Sequence, residues 1–364
     1  MEYWIWMMSP IGISVKYKNL LLNCFESPKE VYEASEQDYR SLNLLTDKQI
    51  RTLCQNKNMD LTHQAMAYME EKNIGFINRE DKAFPSMLLD IFDPPIGLFL
   101  RGDSELLQRP IKLGMVGSRK ASPQGMASAY RFAKELSSHG MTIVSGLADG
   151  IDGQSHWGSV DSIGSTIAVI GTGIDRCYPN KNKKLFLEIV EKGLVVSEFF
   201  LGQKPLPYHF PQRNRIISGL SDGLLVVEAR QKSGALITAG MALEQGKTVY
   251  ALPGDVRRFQ SEGSNQLIKD GAKLVTSIKD ILEDYVYTPE TKQHTETTSN
   301  TALLDMVDSE LEKKCLKFIL EGYQSADDLV FITGESIRDI NTTLSLLEIK
   351  DLVINHNGTL ILKK

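Results

Sequence analysis

Arg213, Asn214 and Arg215 follow directly on His209-Phe210-Pro211-Gln212, and two guanidiniums this close together are suited to holding an oxyanion. Residues two apart on a helix face different ways, so one arginine is expected to hold structure while the other meets ligand. Phe210 beside them is either a core ring or a surface on which a nucleobase stacks. Further on, Ser233-Gly234 opens an apolar pattern with Thr238 one turn inside it. A helix that starts on small residues presents bare backbone N–H groups to an anion. Gly117-Ser118-Arg119, followed by Lys120, ends one apolar run, and Ser145-Gly146-Leu147-Ala148-Asp149-Gly150-Ile151-Asp152 ends the next. Ser145, Gly146 and Gly150 permit close backbone approach to a ligand. Lys181, Lys183 and Lys184 gather behind a third run. Positive side chains and bare amides together describe a grip on phosphate.

Catalysis has little support in the same residues. Asp149 and Asp152 would repel a phosphate that they faced. One is expected to cap the following helix and the other to orient a basic side chain. No nucleophile or histidine stands at a spacing that would complete a catalytic carboxylate pair. The histidines are dispersed, HExxH is absent, and neither a metal nor another cofactor is expected. Neither GxGxxG nor GxxxxGK[ST] occurs, so motif alone establishes no dinucleotide site or P-loop.

Apolar runs and helix patterns alternate regularly from Ile111 onward. Strands are expected at Ile111–Val116, Met141–Val144, Thr166–Ile170, Leu194–Ser197, Leu224–Val227 and Thr248–Leu252. They are continuous apolar runs, as strands buried on both faces of a parallel sheet must be. Helices fall between them: Ser122-Pro123 caps one whose face carries Ala129, Phe132, Ala133 and Leu136. Each glycine-rich turn and each basic residue named above then lies at a carboxyl end of a strand, where open α/β sheets bind ligands.

Residues 1–74 read as a small helical domain, with helix starts at Ser27-Pro28 (a segment through Tyr39) and at Thr46. Gly75–Gly102, broken by Phe84-Pro85 and Pro94-Pro95 and carrying a short strand run at Gly97–Leu100, is expected to be a connector packed on the next domain. Residues 75–286 form the α/β domain and 287–302 a linker. Residues 303–364 carry three helix patterns and a hairpin turning at Asn357-Gly358, the order of elements in a winged helix. The third of those helices has Arg338 but also Glu335, Asp339 and Glu348, a balance that favours protein contact at least as well as DNA.

Across 364 residues, 42% apolar composition is that of a globular chain with room for several domains. A net charge of −5 means that any basic footprint must be local. Four scattered cysteines without a CxxC pair point to a reducing compartment, and no apolar run is long enough to span a membrane; the protein is expected to be cytoplasmic.

The stretches GSR (117–119), SGLADGID (145–152), GTGIDRCYPNKNKKL (171–185), FPQRNRIISGLSDGLLVVEA (210–229), SGALITA (233–239), YALPG (250–254) and GSNQLIKDGA (263–272) resemble the DprA/Smf family of DNA-processing proteins, in that family's order. The resemblance implies an extended Rossmann-like sheet flanked by a helical SAM-like N-terminal domain and a C-terminal winged helix. It implies a homodimer that is not an enzyme. Such a protein binds single-stranded DNA, protects it during natural transformation and helps load the RecA recombinase. It implies a DNA pocket at Arg119, Phe210, Arg213 and Arg215. Taken with the turns, the candidate nucleic-acid-binding set is Gly117, Ser118, Arg119, Ser145, Gly146, Gly150, Lys181, Phe210, Arg213, Asn214, Arg215, Ser233, Gly234 and Thr238. Two rival readings of the same turns are an enzyme or sensor for a nucleotide-derived small molecule, and an interaction scaffold acting through the flanking domains.

Overall fold

The computed structural model describes residues 1–9, 12–285, 307, 309–320, 325–350, 352–356 and 359–362. The chain divides into two compact units, Met1–Val286 and Tyr287–Lys364.

The first unit begins with six helices: α1 (Glu2–Met8), α2 (Val15–Cys24), α3 (Pro28–Glu33), α4 (Glu36–Ser41), α5 (Asp47–Gln55) and α6 (Met59–Glu71). The apolar start of the chain becomes a core helix. Ile5, Trp6 and Met7 are buried, and the Trp6 indole donates to the Asn56 carbonyl at 3.0 Å. The segment expected as one run from Ser27 is two helices. Ser35 and Asp38 form a capping box that starts α4 afresh just after α3 ends. Thr46 and Gln49 do the same for α5.

Two strands follow, β1 (Gly75–Asn78) and β2 (Gly97–Gly102). The strand expected at Gly97–Leu100 is present as β2, but the segment is more than a connector. β1 and β2 pair antiparallel, and β2 pairs antiparallel with β6, so this segment extends the sheet. Alternation explains it: Leu98 and Leu100 join the cluster holding Leu194 and Val196, while Phe76 and Phe99 join the opposite one.

The remaining elements are β3 (Lys112–Val116), α7 (Pro123–Ser138), β4 (Thr142–Ser145), α8 (Ile151–Ser159), β5 (Thr166–Val169), α9 (Lys183–Lys192), β6 (Leu194–Ser197), α10 (His209–Gly219), β7 (Gly223–Val226), α11 (Gly234–Glu244), β8 (Thr248–Ala251), α12 (Glu262–Lys269), β9 (Lys273–Leu274) and α13 (Lys279–Leu282). They complete a nine-stranded sheet in the order β1-β2-β6-β5-β4-β3-β7-β8-β9, with β3 to β9 mutually parallel. The run β5-β4-β3-β7-β8-β9 has the Rossmann order, extended at one edge by β6, β2 and β1. One face packs Leu113, Met115, Ile143 and Leu225 against Ala129, Phe132, Ala133 and Leu136 of α7. The other packs Val116, Val144, Leu224 and Val226 against Ile216 and Ile217 of α10 and Ala235 and Ala239 of α11.

From β3 the chain steps outward to β6. Helix α10 then carries it back across the sheet to β7, on the other side of β3. The turns after β3 and β7 therefore diverge, and a crevice opens between them. Helix α10 is anchored by a buried ion pair. One Arg215 nitrogen, Nη2, donates to both Glu198 carboxylate oxygens, at 2.5 and 2.6 Å. Lys18 of α2 lies in the field of Glu198. Burial pushes its pKa down to about 8 against that attraction, and Nζ donates to the Ser9 carbonyl at 3.1 Å.

The second unit, taken by itself, holds α14 (Glu310–Leu320), α15 (Ala326–Thr333), α16 (Ile337–Ile349) and the antiparallel pair β10 (Val353–His356) and β11 (Thr359–Leu362). Leu316, Leu329, Ile340, Leu344, Leu347, Val353 and Leu360 form its core. Ser325 and Ser336 cap α15 and α16, and Gly334 ends α15 at φ 71°. The expected linker 287–302 and the Asn357-Gly358 turn lie outside the described residues. Among the described residues, no helix is long and apolar enough to cross a membrane.

Removing one partner of a buried ion pair strands the other charge. Glu198→Ala is expected to cost about 3–5 kcal/mol, read as a lower denaturant midpoint. The double change Glu198→Leu with Arg215→Met should recover much of that loss. Equal destabilisation by single and double variants would refute the pairing as the cause.

Candidate functional site

The crevice is a cleft of about 440 Å³ at the carboxyl ends of β3 and β7, with the turn after β4 and helices α10 and α11 as walls. Five basic residues line it (Arg119, Lys120, Arg213, Arg230 and Lys232) against one carboxylate, Asp152.

Backbone bonds set the turn after β3. The Ser118 N–H donates to the Glu228 carbonyl at 2.7 Å, and Ser118 Oγ accepts from the Lys120 N–H at 3.2 Å. Gly117 and Ser118 thus form the floor, while Arg119 and Lys120 stand exposed. Gly150 braces this turn from the next loop. Its φ is +74°, and a Cβ there would lie 2.3 Å from the Ser118 carbonyl oxygen, so only glycine fits. Ser145 is wholly buried, with Oγ donating to the Met115 carbonyl at 2.6 Å, and it ties β4 to β3.

Arg213 is 3% exposed and forms the back wall. Its Nη1 donates to the Gly146 carbonyl at 2.6 Å and to the Val169 carbonyl; its Nε donates to Asn214 Oδ1 at 3.2 Å. A Cβ on Gly146 would fall 2.5 Å from Arg213 Nη2. Burial lowers the Arg213 pKa to about 10, opposed by Asp152 and assisted by Arg119, so it remains a cation at neutral pH. Burial raises the Asp152 pKa, while Arg213 and the Ala148 N–H pull it back. Asp152 thus stands in the field of Arg213 and in turn favours its charged form. Neither aspartate caps α8, whose start at Gly150 has no side-chain cap: Asp149 pairs with Lys181, and Asp152 already lies inside the helix.

Helix α11 supplies the opposite wall. Ser233 Oγ accepts from the Ala235 N–H at 3.2 Å, Gly234 is exposed, and Thr238 lies one turn inside with its hydroxyl donated back to the Gly234 carbonyl at 3.3 Å. Beside the cleft is an aromatic shelf. The Arg119 guanidinium lies over the Phe210 ring at 5.0 Å, and Phe210 meets the exposed Tyr178 ring at 5.6 Å.

The structure therefore brings Gly117, Ser118, Arg119, Arg213, Asn214, Ser233, Gly234 and Thr238 to one cleft, with Phe210 at its margin. Ser145, Gly146 and Gly150 support it from behind. Two candidates lie elsewhere. Arg215 points to Glu198 rather than into the cleft, and Lys181 pairs with Asp149 at 2.8 Å on the exposed side of the loop. Arg230 and Lys232 were missed by sequence reasoning, although the rule that selected Arg119 applies equally to the turn after β7. His156 was missed as well. It is wholly buried; Nε2 accepts the Leu147 N–H at 3.3 Å, and Nδ1 lies 2.7 Å from Thr166 Oγ1, which donates to the Ile143 carbonyl. With that hydroxyl hydrogen already committed, Nδ1 carries the ring proton. The ring thus holds Leu147 at φ 57° in the loop behind the cleft.

Burial, and then Arg213, push the His156 pKa down to about 3. A histidine with a depressed folded pKa contributes its full stability above its unfolded pKa of about 6.5 and loses it as pH falls toward the folded value. Stability is expected to drop by up to about 1.4 kcal/mol per pH unit below 6.5. His156→Gln should flatten that part of the profile in denaturant titrations from pH 7 to 4; an unchanged slope would assign the loss to other groups.

Comparison with known proteins identifies the family and agrees with the fold. Residues 75–286 match the family described as DNA recombination-mediator protein A. DNA processing protein DprA of Streptococcus pneumoniae is 45% identical over 57% of this chain and 73% of its own length. Protein Smf of Synechocystis is 32% identical over 98% of this chain and 97% of its own. Among solved structures, DprA from Streptococcus pneumoniae superposes with a TM-score of 0.68 at 36% identity, covering 78% of this chain and 98% of that one. DNA processing protein A from Helicobacter pylori, whose structure is described for its single-stranded DNA binding mode, superposes at 0.53 with 30% identity over 58% and 95% of the two chains. The chain belongs to the DNA recombination-mediator protein A family, the DprA/Smf proteins.

Proposed function

We propose that this protein binds single-stranded DNA in the cleft at the ends of β3 and β7. The observation that carries this reading is the collection of five basic residues and the start of α11 around one cleft. Arg119, Lys120, Arg230 and Lys232 are exposed and meet phosphates along the rim, while Asn214, Thr238 and the amides of α11 hold one of them deeper. The strand's bases are unpaired, so Phe210 and Tyr178 offer them a stacking shelf, worth about 1–3 kcal/mol per base. The Helicobacter pylori relative, described for single-stranded DNA binding, supports the same assignment.

In the cell the protein protects incoming DNA during natural transformation and helps load RecA onto it, acting as a homodimer without catalysing a reaction. The family's description as a recombination mediator supports that role. The domain plan we favour is a SAM-like helical domain over 1–74, the DNA-binding sheet over 75–286, a linker over 287–302 and a winged helix over 303–364. Three helices followed by a strand pair fit the last of these.

Arg119→Ala is expected to weaken oligo-dT binding by about 1.5–3 kcal/mol, the range for hydrogen bonds to charged groups. It should also reduce the slope of log affinity against log salt by about 0.7, the single-strand value for one phosphate. Fluorescence anisotropy over a salt series, with duplex of equal length as comparison, measures both. Unchanged affinity and slope would remove the cleft from DNA binding. Tight binding of mononucleotides without binding of oligo-dT would reassign the cleft to a small ligand.

A further inference from the structure

In a sheet of this strand order, a bound dinucleotide rests its pyrophosphate on the N-terminus of the helix after the first strand. The equivalent helix here is α7, 16 residues long and capped by Ser122. That position already holds an anion. Glu228, two residues past β7 and 6% exposed, turns its side chain onto the start of α7. Its Oε1 accepts the Ser122 N–H at 2.9 Å, and its Oε2 accepts the Ser122 hydroxyl at 2.5 Å. Ser122 Oγ in turn accepts the Gly125 N–H at 3.0 Å. The helix start is shaped around this carboxylate: a Cβ on Gly125 would lie 2.6 Å from Glu228 Oε2. Both oxygens are thus engaged by the cap residue of a helix, the environment in which a phosphate would otherwise be bound.

We propose that Glu228 is the specificity-determining residue of the cleft. Its carboxylate fills the phosphate seat of α7 and turns away pyrophosphate-bearing nucleotides, leaving α11 and the basic rim to the strand. The missing GxGxxG pattern has its physical counterpart here: the fingerprint's glycines let pyrophosphate approach the backbone, and in this chain an internal side chain has taken that place. The same bonds fasten the turn that presents Arg119 and Lys120, because the Glu228 carbonyl also receives the Ser118 N–H. The assignment of the rim to a nucleic-acid strand rests on the function proposed above; the occupancy of the α7 seat is tested without DNA.

The test is a calorimetric titration of the full chain, parent and Glu228→Ala, with inorganic pyrophosphate, alongside circular dichroism and thermal unfolding. Emptying the seat is expected to make pyrophosphate bind at least about tenfold tighter than to the parent. A folded Glu228→Ala protein with the parent's affinity would overturn the proposal. Should the alanine variant fail to fold, Glu228→Ser, which also removes the carboxylate while keeping a polar side chain, carries the same expectation and the same refutation. Failure of the parent to bind oligo-dT would fell the nucleic-acid reading and leave this result intact, since pyrophosphate alone reports on the seat.

Discussion

A guanidinium does not lose its proton in a protein interior, so burying Arg213 obliges the surrounding backbone to supply acceptors. It does so from two strands at once, through the Gly146 carbonyl beyond β4 and the Val169 carbonyl at the end of β5. Asp152, at the start of α8, adds the field of a carboxylate rather than a bond. One buried cation therefore ties the returning helix α10 to the carboxyl ends of the strands it crosses. The loop behind the cleft is shaped by the same demand. Gly146 can carry no side chain because the guanidinium is there, and Leu147 is held in the left-handed region by His156.

That constraint explains the division of labour among charges that look alike in sequence. Arg213 is satisfied by the Gly146 and Val169 carbonyls and by Asn214, and it contributes a wall with positive potential. Arg215, two residues on, is turned some 200° about the helix axis and meets Glu198 on the other side. The exposed cations come from the turns after β3 and β7, whose backbones are already fixed by strand ends and helix caps. A fixed backbone beneath exposed, long-stemmed cations suits a ligand whose phosphates vary in position from one sequence to the next.

Much of this organisation was legible in the residues. Strands β3 to β8 are mostly apolar runs, and the helices between them needed only caps such as Ser122-Pro123 to be placed. The rim could be located because a parallel sheet sends every glycine turn to the same edge. What could not be read was direction and distance. Spacing says that Arg213 and Arg215 diverge, but not which of them meets Glu198, 17 residues upstream of the latter. The β1–β2 segment looked like a connector because prolines separate its two short strands, and pairing with β6 is a long-range fact. Glu228 read as an ordinary charge at a strand end; only the fold shows that α7 begins above it.

The electrostatics of the cleft also bear on the size of its ligand. Arg119, Lys120, Arg230 and Lys232 repel one another across a small opening, and the one carboxylate lining it, Asp152, cannot offset all four. A single phosphate relieves little of that repulsion, since it can lie close to only one or two of the four. A strand carries a phosphate at every residue and relieves all of it, releasing counterions from its own backbone as it does so. With α7 closed by Glu228, a compact nucleotide would also lack the seat that this strand order ordinarily provides. Open rim and closed seat thus act in the same direction, favouring an extended polyanion over a small one.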